Sequence, residues 1–246
     1  MDLLSIDINA DVGEGINNES ELVPLLSSCN IACGGHAGDE ATMNKVALIA
    51  KEYKVKVGAH PSYPDPENFG REPMDMACSA LYRSLKSQVK SLMHVLRANH
   101  MQLHHVKPHG ALYNVAAKDH RTAVVIVEMM KSIPMPLKLY VPYGSVIATV
   151  AKEEKVPITY EAFADRNYNS DLSLVSRKLE NALITDPDVM FDHVIRMVTR
   201  QRVKSIDGVE VPIKASTFCV HGDNPKAIQL VKTIREKLTN SGIRIQ

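Results

Sequence analysis

The sequence predicts an α/β fold, a single-domain (β/α)7 TIM-like barrel spanning residues 1–246, and three observations carry that expectation. Short apolar runs alternate with longer stretches of helical period, as parallel βα units require. Almost every cluster of reactive side chains falls just past the end of one of those runs. No composition break, Pro/Ser linker, internal repeat or low-complexity tract divides the chain. A doubly wound open sheet is the alternative architecture.

The first strand is expected over Leu3 to Ile8, bounded by Asn9-Ala10-Asp11. Cys29 to Ala32 ends in Cys33-Gly34-Gly35-His36, and Asp39-Glu40 opens a helix running to about Tyr53, since acids favour a helix's first turn. Val55 to Val57 ends in Gly58-Ala59-His60-Pro61. Ala77, Leu81, Leu85, Val89, Leu92 and Leu96 then recur at three- and four-residue spacing, an amphipathic helix. Leu103 to Val106 ends in Lys107-Pro108-His109-Gly110, and Val124, Val127 and Met130 mark the next helix. Leu137 to Val141 ends in Pro142-Tyr143-Gly144, and Ile158 to Tyr160 ends in Glu161. Thr185-Asp186-Pro187 starts a helix over 188–201, with proline in the first turn. Thr217 to Val220 ends in His221-Gly222-Asp223, before a last helix through Ala227, Val231, Ile234 and Leu238.

Lys and Arg total 29 against 28 Asp and Glu, which excludes a strongly basic nucleic-acid binder. Apolar runs such as Thr122 to Val127 fall far short of the roughly 20 residues of a spanning helix. The start Met-Asp-Leu-Leu has no basic n-region of a secretory signal. Cys29, Cys33, Cys78 and Cys219 form no C-x-x-C or zinc-ribbon pattern, so free thiols in a reducing cytoplasm are expected. Charge is uneven: residues 1–44 carry eight acids and no Lys or Arg, residues 76–118 six bases and no acid. Solvated faces of neighbouring helices account for this; an anion-attracting mouth or a partner-facing surface is the alternative.

In a β/α barrel the C-terminal strand ends meet at one face, where such folds carry their active sites. That places Asn9, Asp11, Glu14, His36, Asp39, His60, Lys107, His109, Glu161, Asp165, Arg166, His221 and Asp223 around one pocket. The catalytic candidates among them are Asp11, His36, His60, Lys107, His109, Glu161 and Asp223; the binding candidates are Asn9, Glu14, Asp39, Asp165, Arg166 and His221. Asp11, His36 and His60 could hold a divalent metal, or the histidines could bind substrate without one. Lys107 could hold a carboxylate or a developing oxyanion, or be a rim salt bridge. His109 and His221 are natural proton carriers or structural hydrogen-bond partners. Cys33 reads as a buried strand-end thiol rather than a nucleophile. His94, His100, His104, His105, His120 and His193 are assigned to surface or packing. No Walker-type G-x-x-x-x-G-K-[ST] occurs, Gly13-Glu14-Gly15 lacks a third glycine at dinucleotide spacing, and G-x-S-x-G is absent.

The series Asp7-Ile-Asn-Ala-Asp-Val-Gly-Glu14, Asn30-Ile-Ala-Cys-Gly-Gly-His-Ala-Gly-Asp39, Gly58-Ala-His-Pro-Ser-Tyr-Pro-Asp65 and Phe69-Gly-Arg71 resembles the LamB/YcsF family. So do Val106-Lys-Pro-His-Gly-Ala-Leu-Tyr-Asn114, Glu161-Ala-Phe-Ala-Asp-Arg-Asn-Tyr168 and Cys219-Val-His-Gly-Asp223. The resemblance implies a seven-stranded barrel related to the polysaccharide deacetylase barrels. It also implies hydrolytic opening of 5-oxo-L-proline to L-glutamate, coupled to ATP hydrolysis with 5-oxoprolinase subunits B and C as partners. Three departures touch the pocket. Gly35 stands where members carry a bulky aromatic, Asp171-Leu172-Ser173-Leu174 replaces Asp-Gly-x-Leu, and the loop after Glu14 lacks an aromatic-glycine pair.

The implied chemistry explains ATP without an ATP motif. The partners would supply the nucleotide site, and this chain would complete hydrolysis. Lys107 or Arg166 would bind the substrate carboxylate or phosphoryl oxygens, and Asp11, Glu161 or Asp223 would deprotonate water. His36, His60 or His109 would orient that water or protonate the ring nitrogen. Substituting Lys107 or Asp11 is expected to lower turnover while leaving the fold intact. The alternatives are a metal-dependent deacetylase or amidohydrolase of a small amide or N-acetyl sugar, and a non-catalytic 5-oxoproline-binding subunit.

Overall fold

The computed structural model describes residues 4–222, 224 and 226–246. Seven parallel strands close on themselves: β1 (Ser5–Val12), β2 (Ser28–Ala32), β3 (Lys56–His60), β4 (His105–Val106), β5 (Lys138–Pro142), β6 (Ile158–Phe163) and β9 (Thr217–Cys219). Each pairs with its neighbour in sequence, and β9 pairs with both β6 and β1, which closes the barrel. Between β6 and β9, β7 (Arg202–Lys204) and β8 (Glu210–Pro212) form an antiparallel hairpin. A short β10 (Arg244–Ile245) runs parallel to the start of β1.

The outer layer consists of α1 (Glu19–Leu22), α2 (Glu40–Glu52), α3 (Cys78–Ala98), α4 (Gly110–Ala116), α5 (His120–Lys131), α6 (Val146–Glu153), α7 (Pro187–Arg200) and α8 (Ala227–Asn240). Helix α3 shows why these segments are helical: Leu81, Leu85, Val89, Leu92 and Leu96 form one buried stripe, worth about 1.5–3 kcal/mol for each large aliphatic removed from water. Its neighbours α2 and α5 carry the matching stripes, and the main core fills the shell between helices and barrel. Caps fix the starts. Asp39, Asp119 and Asp186 each accept backbone N–H groups in the first turn of α2, α5 and α7. Among the described residues, no helix is long and apolar enough to cross a membrane.

Strand order and helix order follow the sequence expectation, but β1, β3 and β6 run further than expected. Asn9 and Asp11 lie within β1, Glu161 lies within β6, and His60 is the last residue of β3. The reason is the barrel's period of two: Asp7, Asn9 and Asp11 alternate along the strand with Ile6, Ile8 and Ala10. Polar groups inside the barrel break the apolar run while the strand continues.

Candidate active site at the barrel mouth

The barrel interior is polar, and its groups satisfy one another layer by layer. At the lower level, Asp7 Oδ1 accepts from Ser28 Oγ (2.8 Å) and Thr217 Oγ1 (2.6 Å). Above it, Asn9 Nδ2 donates to Thr217 Oγ1 (2.7 Å) and to Glu161 Oε1 (3.0 Å). Asn30 Nδ2 donates to Asn9 Oδ1 and Asp11 Oδ1, both at 2.8 Å, while its Oδ1 lies 2.6 Å from His105 Nε2. His105 stacks on Tyr140, with ring centroids 3.9 Å apart, and occupies the volume that a Cβ at Gly58 would fill.

Lys107 sits at the centre of the next level, only 2% exposed. Its Nζ lies 2.9 Å from Asp11 Oδ1, 3.0 Å from Glu161 Oε1 and 3.1 Å from Cys219 Sγ. Burial alone would lower the ammonium's pKa, but Asp11, Cys219 and Glu161 outweigh it and hold it well above the ordinary lysine value. Burial would likewise raise the Asp11 carboxyl; the pull of His60 and Lys107 wins and holds it well below the usual range. The Tyr113 hydroxyl lies beside the Glu161 carboxylate, and burial together with the Glu161 charge pushes its pKa up.

Nearest the mouth, three histidines surround one carboxylate. Glu14 Oε1 lies 2.8 Å from His36 Nε2, 3.3 Å from His109 Nδ1 and 3.8 Å from His60 Nε2. The His36 and His109 rings stack at 3.6 Å, and Phe69 closes edge-on over both. Asp11 Oδ2 reaches His60 Nε2 at 3.3 Å. Burial first, then the neighbouring His60, pushes His36 and His109 down to about 3, so both rings are neutral at ordinary pH. Glu14 and His36 also line a cavity of about 440 Å³, walled by Gly13, Gly15, Gly34 and Gly38 and by Lys45 and Glu19, whose charged groups lie 4.0 Å apart. Beside the cluster, Asp165 accepts from the His221 backbone N–H (2.8 Å) and lies 2.9 Å from its Nδ1. Burial would raise the Asp165 carboxyl, but His221 holds it low. Phe163 stacks on that ring at 5.3 Å, and Lys107 Nζ lies 5.3 Å from the centre of the Phe163 ring.

Asn9, Asp11, Glu14, His36, His60, Lys107, His109 and Glu161 therefore form one connected cluster, with Asp165 and His221 alongside. Other candidates are placed differently. Asp39 is exposed on the cavity rim, where its carboxylate caps α2 by accepting from Thr42 N–H at 2.7 Å. Arg166 donates to the carbonyls of Ala182 and Val175, which clamps the loop after β6. Asp223 lies outside the described residues. Lys107 is an interior ion pair rather than a rim salt bridge, so its removal strands two buried carboxylates. Cys33 is a buried thiol pushed up to about 12, which rules out an activated nucleophile. The sequence reading missed Asn30, His105, Tyr113 and Phe69. Asn30 was accessible through register alone, since it pairs directly with Asp11 across β1 and β2.

The departure at Gly35 has a structural counterpart. A Cβ there would overlap Ser62 Oγ and the Gln88 side chain, which bridges the Ser62 backbone N–H (3.0 Å) and carbonyl (2.9 Å). Gln88 has taken the space. Leu172, standing where members carry glycine, adopts a left-handed φ of 64°.

The LamB/YcsF family model matches residues 6–246. The chain belongs to the LamB/YcsF family. A Haemophilus influenzae (strain PittEE) protein, named as the A subunit of 5-oxoprolinase, is 44% identical over 240 residues, covering 98% of both chains. The crystal structure of a lactam utilization protein from Thermus thermophilus superposes with a TM-score of 0.93 at 35% identity, covering 99% of each chain. A deacetylase solved with its substrate shares the fold alone, with a TM-score of 0.50 at 10% identity, covering 99% of this chain and 88% of the other.

Proposed function

We propose that this chain is the lactam-opening component of an ATP-dependent 5-oxoprolinase, acting with subunits B and C on 5-oxo-L-proline. The observation that carries the reading is the buried Lys107–Asp11–His60 array, linked through Glu14 to a cavity of about 440 Å³ that Glu14 and His36 line, in a family member whose relatives include a named 5-oxoprolinase component. A five-membered lactam is resonance-stabilised, so the amide carbon needs activation before water attacks. Phosphoryl transfer from ATP to the amide oxygen, on the partner subunits, supplies it. Water then adds to C5 and the C5–N bond breaks. The ring nitrogen leaves as the α-amino group, and a second water converts the remaining acyl phosphate to the γ-carboxylate and phosphate.

In this reading the attacking water sits at the barrel mouth beside Asp11, whose Oδ2 accepts its proton. Lys107 and Glu161 act from beneath as positioning residues: Lys107 keeps Asp11 ionised and fixed, and Glu161 holds Lys107. Lys45 on the cavity wall would pair with the substrate carboxylate. Support for the partners comes from the name of the Haemophilus relative, which marks it as one component of several, and support for a nucleotide site elsewhere from the missing phosphate-cradling loop. The test is glutamate formation from 5-oxoproline, with and without ATP, by this chain alone and with subunits B and C. The reading expects product only from the complete set with ATP. No product from that set overturns it.

A further inference from the structure

We infer that Glu14, His60 and His109 form a binding site for one divalent transition-metal ion, open on one side to water. The inference deepens the proposed function, since it concerns the same mouth of the barrel. It rests on two observations, hydrogen-bond direction and triangle geometry.

Backbone carbonyls can only accept hydrogen bonds, so they fix which ring nitrogen carries hydrogen. His60 Nδ1 faces the Lys107 carbonyl at 2.7 Å, and His109 Nε2 faces the Phe69 carbonyl at 2.9 Å; both must therefore be N–H donors. The remaining nitrogens, His60 Nε2 and His109 Nδ1, then carry lone pairs, yet they lie 2.9 Å apart. Glu14 Oε1 and Asp11 Oδ2 add two more acceptors around them. Two ring lone pairs face each other with carboxylate oxygens beside them, and a positive centre between the rings relieves that repulsion. A carbonyl fixing the far nitrogen of each ring is also how metal-ligating histidines are oriented.

The distances fit a cation. The separations His60 Nε2 to His109 Nδ1 (2.9 Å), Glu14 Oε1 to His109 Nδ1 (3.3 Å) and Glu14 Oε1 to His60 Nε2 (3.8 Å) define a circle of radius about 2.0 Å, the length of a zinc–nitrogen or zinc–oxygen bond. An ion slightly above that plane lies at bonding distance from all three atoms. Two imidazoles and one carboxylate suit zinc and its first-row neighbours, and three protein ligands leave a position for water. His36, stacked on His109, fixes the same Glu14 oxygen at 2.8 Å.

The experiment uses the full chain, stripped with a chelator and titrated with Zn²⁺ and with Co²⁺ in the absence of 5-oxoproline, ATP and partners. One equivalent per chain is expected, with the intense visible absorption of four- or five-coordinate Co²⁺ and a zinc-dependent rise in melting temperature. His109→Ala and Glu14→Gln should each weaken uptake more than about 100-fold, and His36→Ala at least about 10-fold. Because Glu14→Gln preserves size and hydrogen bonding, it keeps the test meaningful if a histidine variant misfolds. Absence of stoichiometric uptake overturns the inference and leaves a proton shared between His60 and His109 as the positive centre. Uptake unchanged in both ligand variants overturns it too. Either failure leaves the lactam-opening reading intact, whereas a metal-loaded complex that makes no glutamate fails only that reading.

Discussion

Replacing Lys107 with methionine removes one cation and strands two anions. The lost contacts are those to Asp11 Oδ1 at 2.9 Å and Glu161 Oε1 at 3.0 Å, in the interior of the barrel. Breaking a buried ion pair by removing one partner costs about 3–5 kcal/mol, because the charge left behind has lost its water and its partner. For a chain of this length that is a fall in melting temperature of roughly 6–20 °C. Urea unfolding at pH 7 reads it directly. Two further results follow from the cause. Lys107→Met/Glu161→Gln should be less destabilised than Lys107→Met alone, since one stranded charge is gone. The deficit of Lys107→Met should also shrink on acidification: without the ammonium the Asp11 carboxyl loses one of the charges that hold it low, so its protonation relieves the strain sooner. A Lys107→Met protein within about 1 kcal/mol of wild type at pH 7 would refute the reasoning.

Other consequences are equally specific. Burial lowers His193 to about 4, so the unfolded chain takes up a proton below about 6.5 that the folded chain refuses; stability falls from pH 6.5 towards 4 by up to about 3 kcal/mol, and His193→Phe should flatten that limb in urea titrations. An unchanged slope in the variant counts against it. Gly35→Ala should cost about 1–3 kcal/mol by overpacking against Ser62 and Gln88, and Gln88→Ala in the same chain should recover much of it; a neutral Gly35→Ala contradicts the packing. Leu172→Gly should change stability by less than about 1 kcal/mol, because release of left-handed strain offsets lost packing; a loss above about 3 kcal/mol contradicts that balance.

Much of this was legible in the sequence because barrel strands are short apolar runs and their C-terminal ends carry function. The order of the seven strands and the convergence of Asp11, His60, Lys107 and His109 follow from that regularity. Depth did not. Lys107, as a long cation after a strand, reads as a group that holds a carboxylate or an oxyanion or as a rim salt bridge, and its depth between two carboxylates has no signal in the local sequence. His105 lay outside the strand-end clusters, yet it fills the barrel axis because Gly58 leaves it room. The β7–β8 hairpin passed unnoticed although Asp207-Gly208 is a common turn pair, since its strands are three residues each and neither face is apolar throughout. The placing of Arg166 depended on a loop whose return path, through Val175 and Ala182, has no local signal.

The central claim is that lactam opening takes place at Asp11 in the barrel mouth. Its most direct test is glutamate release from 5-oxoproline by the complex with subunits B and C and ATP, comparing wild type with Asp11→Asn after circular dichroism has shown the variant folded. The account expects glutamate from wild type and at least about 100-fold less from the variant. Wild-type turnover by a folded Asp11→Asn chain would contradict it.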